Sequence, residues 1–208
     1  MASVEVLPRF AFEEFETQAM QRMAQECKTI LDVGGGTRFM KRMQVFETLF
    51  ANTDYKTLDI SADYKPDIVG DIHRIPLADN SVDGVMCRSV LEHVERPADA
   101  VKEMHRILRP GGLAFIQVPS TYPYHARTGF GAYPDYWRFF DDTLKLLFAE
   151  FSEVKIQKHG GWFAAMSFFA PMQVRFQWFL KPVSGFLDQL FGTNRRTTTP
   201  FYSVLAKK

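Results

Sequence analysis

The chain has 208 residues, 46% of them apolar, which suits one α/β domain with short additions and excludes a disordered or fibrous protein. With 25 Lys/Arg against 24 Asp/Glu the net charge is +1, so no basic stripe speaks for nucleic acid. Two cysteines, Cys27 and Cys87, are too few for a disulfide framework and lack metal-ligand company; they point to a reducing, cytoplasmic setting, and no metal site is expected.

The first element is an acidic amphipathic helix over 12–26, an edge or lid, in which Glu13, Glu14 and Glu16 interrupt any signal-peptide pattern. A strand over 28–33 follows and runs into Gly34-Gly35-Gly36-Thr37. An apolar run ending in an acid and a glycine turn reads as a buried parallel strand that delivers its C-terminal end to a ligand. Glycine lets the backbone turn tightly and approach that ligand. The dinucleotide fingerprint G-x-G-x-x-G fails at Phe39, and no Gly-Lys-Ser/Thr ending marks a P-loop.

A helix is expected over 38–51 and a strand over 55–60. Asp59 lies 25 positions after Gly34, near the spacing of an acid that accepts from ribose hydroxyls. Strands over 67–71 and 82–88 come next, with Asp79 and Asp83 as turn and strand-start residues and Cys87 as a small buried hydrophobe. A helix opens at Pro97 and runs to Leu108, where Pro110-Gly111-Gly112 stops it. A strand over 113–118 precedes a helix N-capped by Asp141 or Asp142 that reaches about Phe151. The last strands are 154–158 and 201–206.

Between these last strands lies an aromatic, helical insertion over 162–191, which Pro171 and Pro182 break into short helices. Gln173, Arg175, Gln177 and Lys181 make it too polar to span a bilayer. From Lys155 onward eight Lys/Arg face one acid, Asp188, so this part carries +7 and the remainder −6. The insertion reads first as a cap that closes an acceptor pocket; a peripheral contact with anionic lipid is the alternative.

Four stretches carry a resemblance. Asp32, Gly34 and Gly36 match motif I of class I S-adenosylmethionine (SAM) methyltransferases, D/E-x-G-x-G-x-G, with Arg38 in place of the last glycine. Gly70-Asp71-Ile72 through Asp83 is similar to the type-11 pattern G-D-a-x-x-L-P-f-x-D-x-S-F-D. Val90-Leu91-Glu92-His93-Val94 with Pro97, and Arg106 through Gly112, resemble its v-L-E-H-v-x-x-P and R-v-L-k-P-G-G segments. In order and in register, these cover about residues 28–120, so the chain resembles the type-11 methyltransferase family.

That resemblance implies a single domain over 1–208 with a Rossmann-like, doubly wound, seven-stranded sheet, mostly parallel with an antiparallel last strand and helices on both faces. It implies SAM as cofactor, S-adenosylhomocysteine as product, and a small-molecule or saccharide acceptor methylated at O, N or C, with O or N first. The cofactor residues would be Asp32, Gly34, Gly36, Asp59, Asp71 facing the adenine amine, and Ile72 through its backbone. Arg88 or Ser89 would close the site.

On the acceptor side, His93 is a base or a residue that orders its loop, and His125 is a base or a surface histidine. Pro134-Asp135-Tyr136-Trp137-Arg138 is similar to a stretch in a subset of type-11 enzymes. With Tyr124 it would make an aromatic wall for a sugar or ring; in the other reading Asp135 and Arg138 pair with each other under a packed cap. Two functions compete with methyl transfer: SAM binding without catalysis, supported only by Arg38, and nicotinamide chemistry, disfavoured by the incomplete fingerprint.

Overall fold

Eight strands build one sheet: β1 (Ser3–Leu7), β2 (Thr29–Val33), β3 (Asp54–Asp59), β4 (Ile68–Val69), β5 (Val82–Arg88), β6 (Leu108–Pro119), β7 (Glu153–His159) and β8 (Phe201–Lys207). Their spatial order is β1-β7-β8-β6-β5-β2-β3-β4. The structure, a computed structural model, describes residues 3–7, 12–129, 131–169, 173–193 and 198–208. All neighbouring strands are parallel except β8, which runs antiparallel to both β6 and β7. The expected seven strands are present. An eighth, β1, adds a parallel edge beside β7 that the sequence reading did not include.

Period-two alternation distributes the central strands between two cores. Ile30, Met86 and Phe115 join one core with Phe15, Met20 and Met23 of helix α1 (Phe12–Glu26). Leu31, Val85, Cys87 and Ile116 enter the other. That second core is covered by Val101, Met104 and Ile107 of α2 (Pro97–Ile107) and by Leu144 of α3 (Asp141–Leu147). Each such fully buried side chain contributes roughly 1.5–3 kcal/mol of transfer free energy. This two-sided cover is what lets a parallel sheet exist.

Several elements differ from expectation for identifiable reasons. The 38–51 helix is a 3₁₀ helix over Lys41–Phe50. No side chain caps it and its first turn holds no acid, so nothing stabilises an α-helical start. The 67–71 strand shrinks to Ile68–Val69, which pair with Leu58 and Asp59. Asp141 and Asp142 lie in the first turn of α3, and Phe140 holds the N-cap position. Asp141 instead pairs with Lys158 of β7 at 2.7 Å, and Asp142 with Lys145 at 2.8 Å. The C-terminal insertion forms α4 (Trp162–Ser167) and α5 (Gln173–Leu190), and α5 continues through Pro182 rather than ending there. Pro171, Arg195 and Arg196 lie outside the described residues. Among the described residues, no helix is long and apolar enough to cross a membrane.

Asp83 does more than start a strand. Its carboxylate accepts from Lys28 N–H, Thr29 N–H and the Thr29 hydroxyl, each at 3.0 Å, and pairs with Arg109 at 2.5 Å. It fixes the entry of β2 to the entry of β5. Partial burial pushes its carboxyl up, but Arg109 and the Thr29 and Lys28 donors outweigh that and hold it below the usual range. A group so depressed stabilises the fold above its unfolded pKa and loses that contribution as pH falls through the folded value. We expect Asp83→Ala to lower the unfolding free energy by about 1–3 kcal/mol at pH 7 in urea titrations. The gap between the two proteins should narrow below about pH 4.

Candidate functional site

β2 and β5 are neighbours, but the chain leaves β2 toward β3 and leaves β5 toward β6, on opposite sides. This is the switch point at which open α/β sheets bind ligands. Gly34 (φ +72°) and Gly36 (φ +58°) make the turn after β2 in the left-handed region. Gly34 N–H donates to the Leu58 carbonyl at 2.7 Å, and a Cβ on Gly34 would collide with the Val90 side chain. After β5 the chain turns at Ser89, also left-handed at φ +54°, with its N–H on the Gln117 carbonyl at 2.8 Å.

Arg38, the departure from motif I, faces away from this turn. Its guanidinium donates twice to Asp67, at 2.8 Å each. The left-handed residue falls instead on Phe39 (φ +53°), whose ring stacks on Tyr55 at 4.5 Å. The turn therefore closes without a third glycine.

The acids gather at the same edge. Asp32 is buried, accepts from the Tyr55 hydroxyl at 2.6 Å, and is pushed up to about 6 by burial, against the lowering by Tyr55 and Arg88. Burial also raises Asp59, which is opposed by the backbone N–H donors of Ser61, Gly36 and Ile60. The Asp59 carboxylate thus holds the glycine turn as well as its own strand end. Asp71 accepts from His73 N–H at 2.8 Å and meets the His73 ring at 2.7 Å; partial burial raises its carboxyl, but these contacts bring it below the usual range. Ile72 buries its side chain in the core. Arg88 donates to Glu16 of α1 at 2.9 Å, so its terminal nitrogen faces a carboxylate of the chain itself.

Two residues at this edge escaped the sequence reading. Tyr64 donates to the Gly131 carbonyl at 2.9 Å, and its own carbonyl accepts from Thr37 at 2.7 Å, which ties the loop after β6 to the glycine turn. No local pattern marks it. Glu16 did carry a signal: an acid beside Phe15 and four residues before Met20 sits on the apolar face of α1.

The acceptor-side candidates separate into two groups. His93, in the short 3₁₀ turn Leu91–His93, and His125, in the loop after β6, come together with ring centroids 4.9 Å apart. Tyr133 lies 4.3 Å from His93. Glu92 Oε1 is 3.7 Å from a ring nitrogen of each histidine. Burial lowers His93, whereas the Glu92 carboxylate raises His125. Asp135 and Arg138, by contrast, pair with each other at 2.6 and 2.7 Å. Burial would raise Asp135, but Arg138 and the His125 N–H hold it at about 2. Arg138 also donates to the carbonyls of Tyr122 and Pro123, and Trp137 Nε1 to that of Val94. This pair clasps the loop. Tyr124, Tyr136 and Trp137 keep exposed rings.

The edge fits a nucleoside cofactor with vicinal hydroxyls. Its glycine cradle has no room for a Cβ at Gly34, Asp59 offers carboxylate oxygens, and two buried nitrogens, Arg88 Nε and His73 Nε2, have no hydrogen-bond partner among the described residues. Residues 31–116 match the family model described as a methyltransferase domain, type 11. An uncharacterized methyltransferase of Mycobacteroides abscessus is 32% identical over 48% of this chain and 42% of its own length. The ubiquinone/menaquinone biosynthesis C-methyltransferase UbiE of Dinoroseobacter shibae is 33% identical over 44% of each. The chain thus spans under half the length of these curated relatives. A solved SAM-dependent methyltransferase from Archaeoglobus fulgidus superposes with a TM-score of 0.59 at 19% identity, over 94% of both chains. One from Mesorhizobium loti gives 0.57 at 18% identity, over 94% of this chain and 97% of its own.

The fold is that of the class I SAM-dependent methyltransferases. Residues 31–116 resemble the type-11 methyltransferase domain, and solved structures that share the fold are SAM-dependent methyltransferases.

Gly34→Ala forces a Cβ into the left-handed region and against Val90. The backbone alone should cost about 1–2 kcal/mol, with the collision adding to it, read as a lower urea midpoint.

Proposed function

We propose that this chain is a methyltransferase that moves the methyl group of SAM to O or N of a small-molecule or saccharide acceptor. The observation that carries this reading is the glycine cradle of Gly34 and Gly36, joined to Asp59 at the sheet's switch point. When bound, SAM supplies a methyl group already activated on a sulfonium. The chain's part is then to hold and orient. Asp59 accepts from the ribose hydroxyls, Asp71 from the adenine amine, and the Ile72 backbone borders the ring. Arg88 Nε and Ser89 border the site at the end of β5, with Asp32 beneath the glycine turn.

On the acceptor side, His125 is the first candidate to take a proton, because Glu92 favours its charged form, and His93 is the second. Tyr124, Tyr136 and Trp137 present aromatic surface to an incoming ring. The relative named as a C-methyltransferase supports carbon as the third acceptor atom. We treat 1–208 as one domain, because β1 and β8, from opposite ends of the chain, both pair with β7. The alternative of SAM binding without turnover rests on Arg38, whose side chain pairs with Asp67. Buried, free Cys27 and Cys87 accord with a cytoplasmic setting. Exposed Phe186, Leu190 and Phe191 support a peripheral contact of α5 with an apolar phase.

Methyl-labelled SAM should leave label in a small-molecule or saccharide fraction of cell extract. Label in lipid would move the acceptor to the membrane, and intact SAM binding with no label would favour the non-catalytic alternative. Asp59→Ala should weaken SAM binding by about 1.5–3 kcal/mol, roughly 10- to 150-fold, in titration calorimetry. An unchanged dissociation constant would remove Asp59 from the site.

A further inference from the structure

Glu92 is the anomaly of this chain. Its side chain is fully buried, and neither carboxylate oxygen has a hydrogen-bond partner among the described residues. An isolated buried carboxylate costs several kcal/mol unless a cation or donor meets it. The nearby arginine, Arg138, faces Asp135 instead. What Glu92 does face is two imidazoles. Its Oε1 lies 3.7 Å from His93 Nε2 and 3.7 Å from His125 Nε2, too far for a hydrogen bond.

The other nitrogen of each ring fixes its tautomer. His93 Nδ1 lies 2.5 Å from the Pro134 carbonyl, so it carries the proton. His125 Nδ1 lies 3.2 Å from the Pro123 carbonyl and 3.2 Å from Asp135 Oδ2, both acceptors, and 3.5 Å from the donor Arg138 Nη2; the two shorter contacts place the proton on Nδ1. Both Nε2 atoms are then lone pairs, turned toward the oxygen of a carboxylate. Three lone pairs facing one another repel unless something positive lies among them.

We propose that Glu92, His93 and His125 form a binding site for a divalent first-row transition ion. One donor atom from each residue lies within 4.8 Å of the others. Ligands at about 2.1 Å from a tetrahedral ion stand about 3.4 Å apart, so the two Glu–His edges at 3.7 Å need a contraction of a few tenths of an ångström, and the His–His edge, within 4.8 Å, closes by a rotation of the more exposed His125 ring. Two imidazoles and one carboxylate suit zinc, iron and cobalt rather than magnesium or calcium. The second-neighbour pattern agrees: a metal-bound histidine donates its other N–H to a carbonyl or carboxylate, as both do here. The remaining coordination positions stay open to water or an acceptor oxygen, and His125, at 28% side-chain exposure, leaves an entry. The site deepens the methyltransferase reading by turning two candidate bases into ligands, but ion binding itself does not require methyl transfer.

The test is to strip the protein with chelator and titrate it with Co²⁺. One equivalent should give visible d–d absorption, which Zn²⁺ displaces. Glu92→Gln and His125→Ala, each checked for folding by circular dichroism, should each weaken Co²⁺ binding at least tenfold. His125→Ala, at the more exposed position, keeps the test open if Glu92→Gln does not fold. Asp59→Ala should lose SAM affinity yet keep the cobalt band, so the two readings fail separately. No band at stoichiometric Co²⁺, or a band unchanged in both ligand variants, would overturn the site and leave a protonated His125 as the partner of Glu92.

Discussion

The contact between Gly34 and Val90 governs the upper edge of this molecule. The glycine turn after β2 and the exit from β5 approach so closely that no Cβ fits between them. That approach brings the acid-bearing end of β2 beside the left-handed turn at Ser89. Val90 in turn starts the short 3₁₀ segment Leu91–His93, with His93 N–H bonded to the Val90 carbonyl at 2.8 Å. One packing constraint therefore sets both the cofactor cradle and the place where Glu92 and His93 stand.

Charge at this edge is distributed by burial. Asp32 sits under the glycine turn with Tyr55 as its donor, and burial moves it to about 6. Arg88 lies near enough to lower it, yet gives its terminal nitrogen to Glu16 of α1. The N-terminal helix thus belongs to the electrostatics of the site as well as to the core. Across the edge, the loop after β6 is held by the Asp135–Arg138 pair and by Tyr136 and Trp137 N–H groups on the Glu92 carbonyl, at 2.7 and 3.2 Å. The same peptide that carries the unpartnered carboxylate is therefore clamped through its backbone.

Much of this was legible in the residues because sheet chemistry is local. Runs such as Val82–Arg88 alternate between two cores, and Asp32-Val33-Gly34 announces a turn that only glycine makes cheaply. His93 and His125, 32 positions apart in sequence, both stood out, though nothing local said that their rings would meet. What stayed hidden depended on partners distant in sequence. Glu92 read as a motif letter until His125 arrived beside it. Asp135 and Arg138 could be acceptor contacts or each other's partner, and only the fold of the loop chose. Asp141 has cap chemistry, but Lys158 from β7 competes for it. The 38–51 segment carried helical periodicity without caps, and it winds as 3₁₀.

Asp188 shows how the basic C-terminal part is organised. It is the one acid after Lys155, and it is not a surface counter-charge. It is buried at 2% exposure and accepts from the N–H groups of Gly161, Phe163 and Ala164, at 2.7, 2.9 and 3.1 Å. These are the unsatisfied donors at the start of α4, where a negative charge is most favoured. An acid from α5 thus caps α4, and a Cβ at Gly161 would collide with it. The two helices are tied to each other through this polar contact, beside the Phe163–Phe191 ring contact at 5.6 Å. Phe186, Leu190 and Phe191 stay exposed beside it. The bond that fixes the helices thus takes the one acid of this part away from the surface.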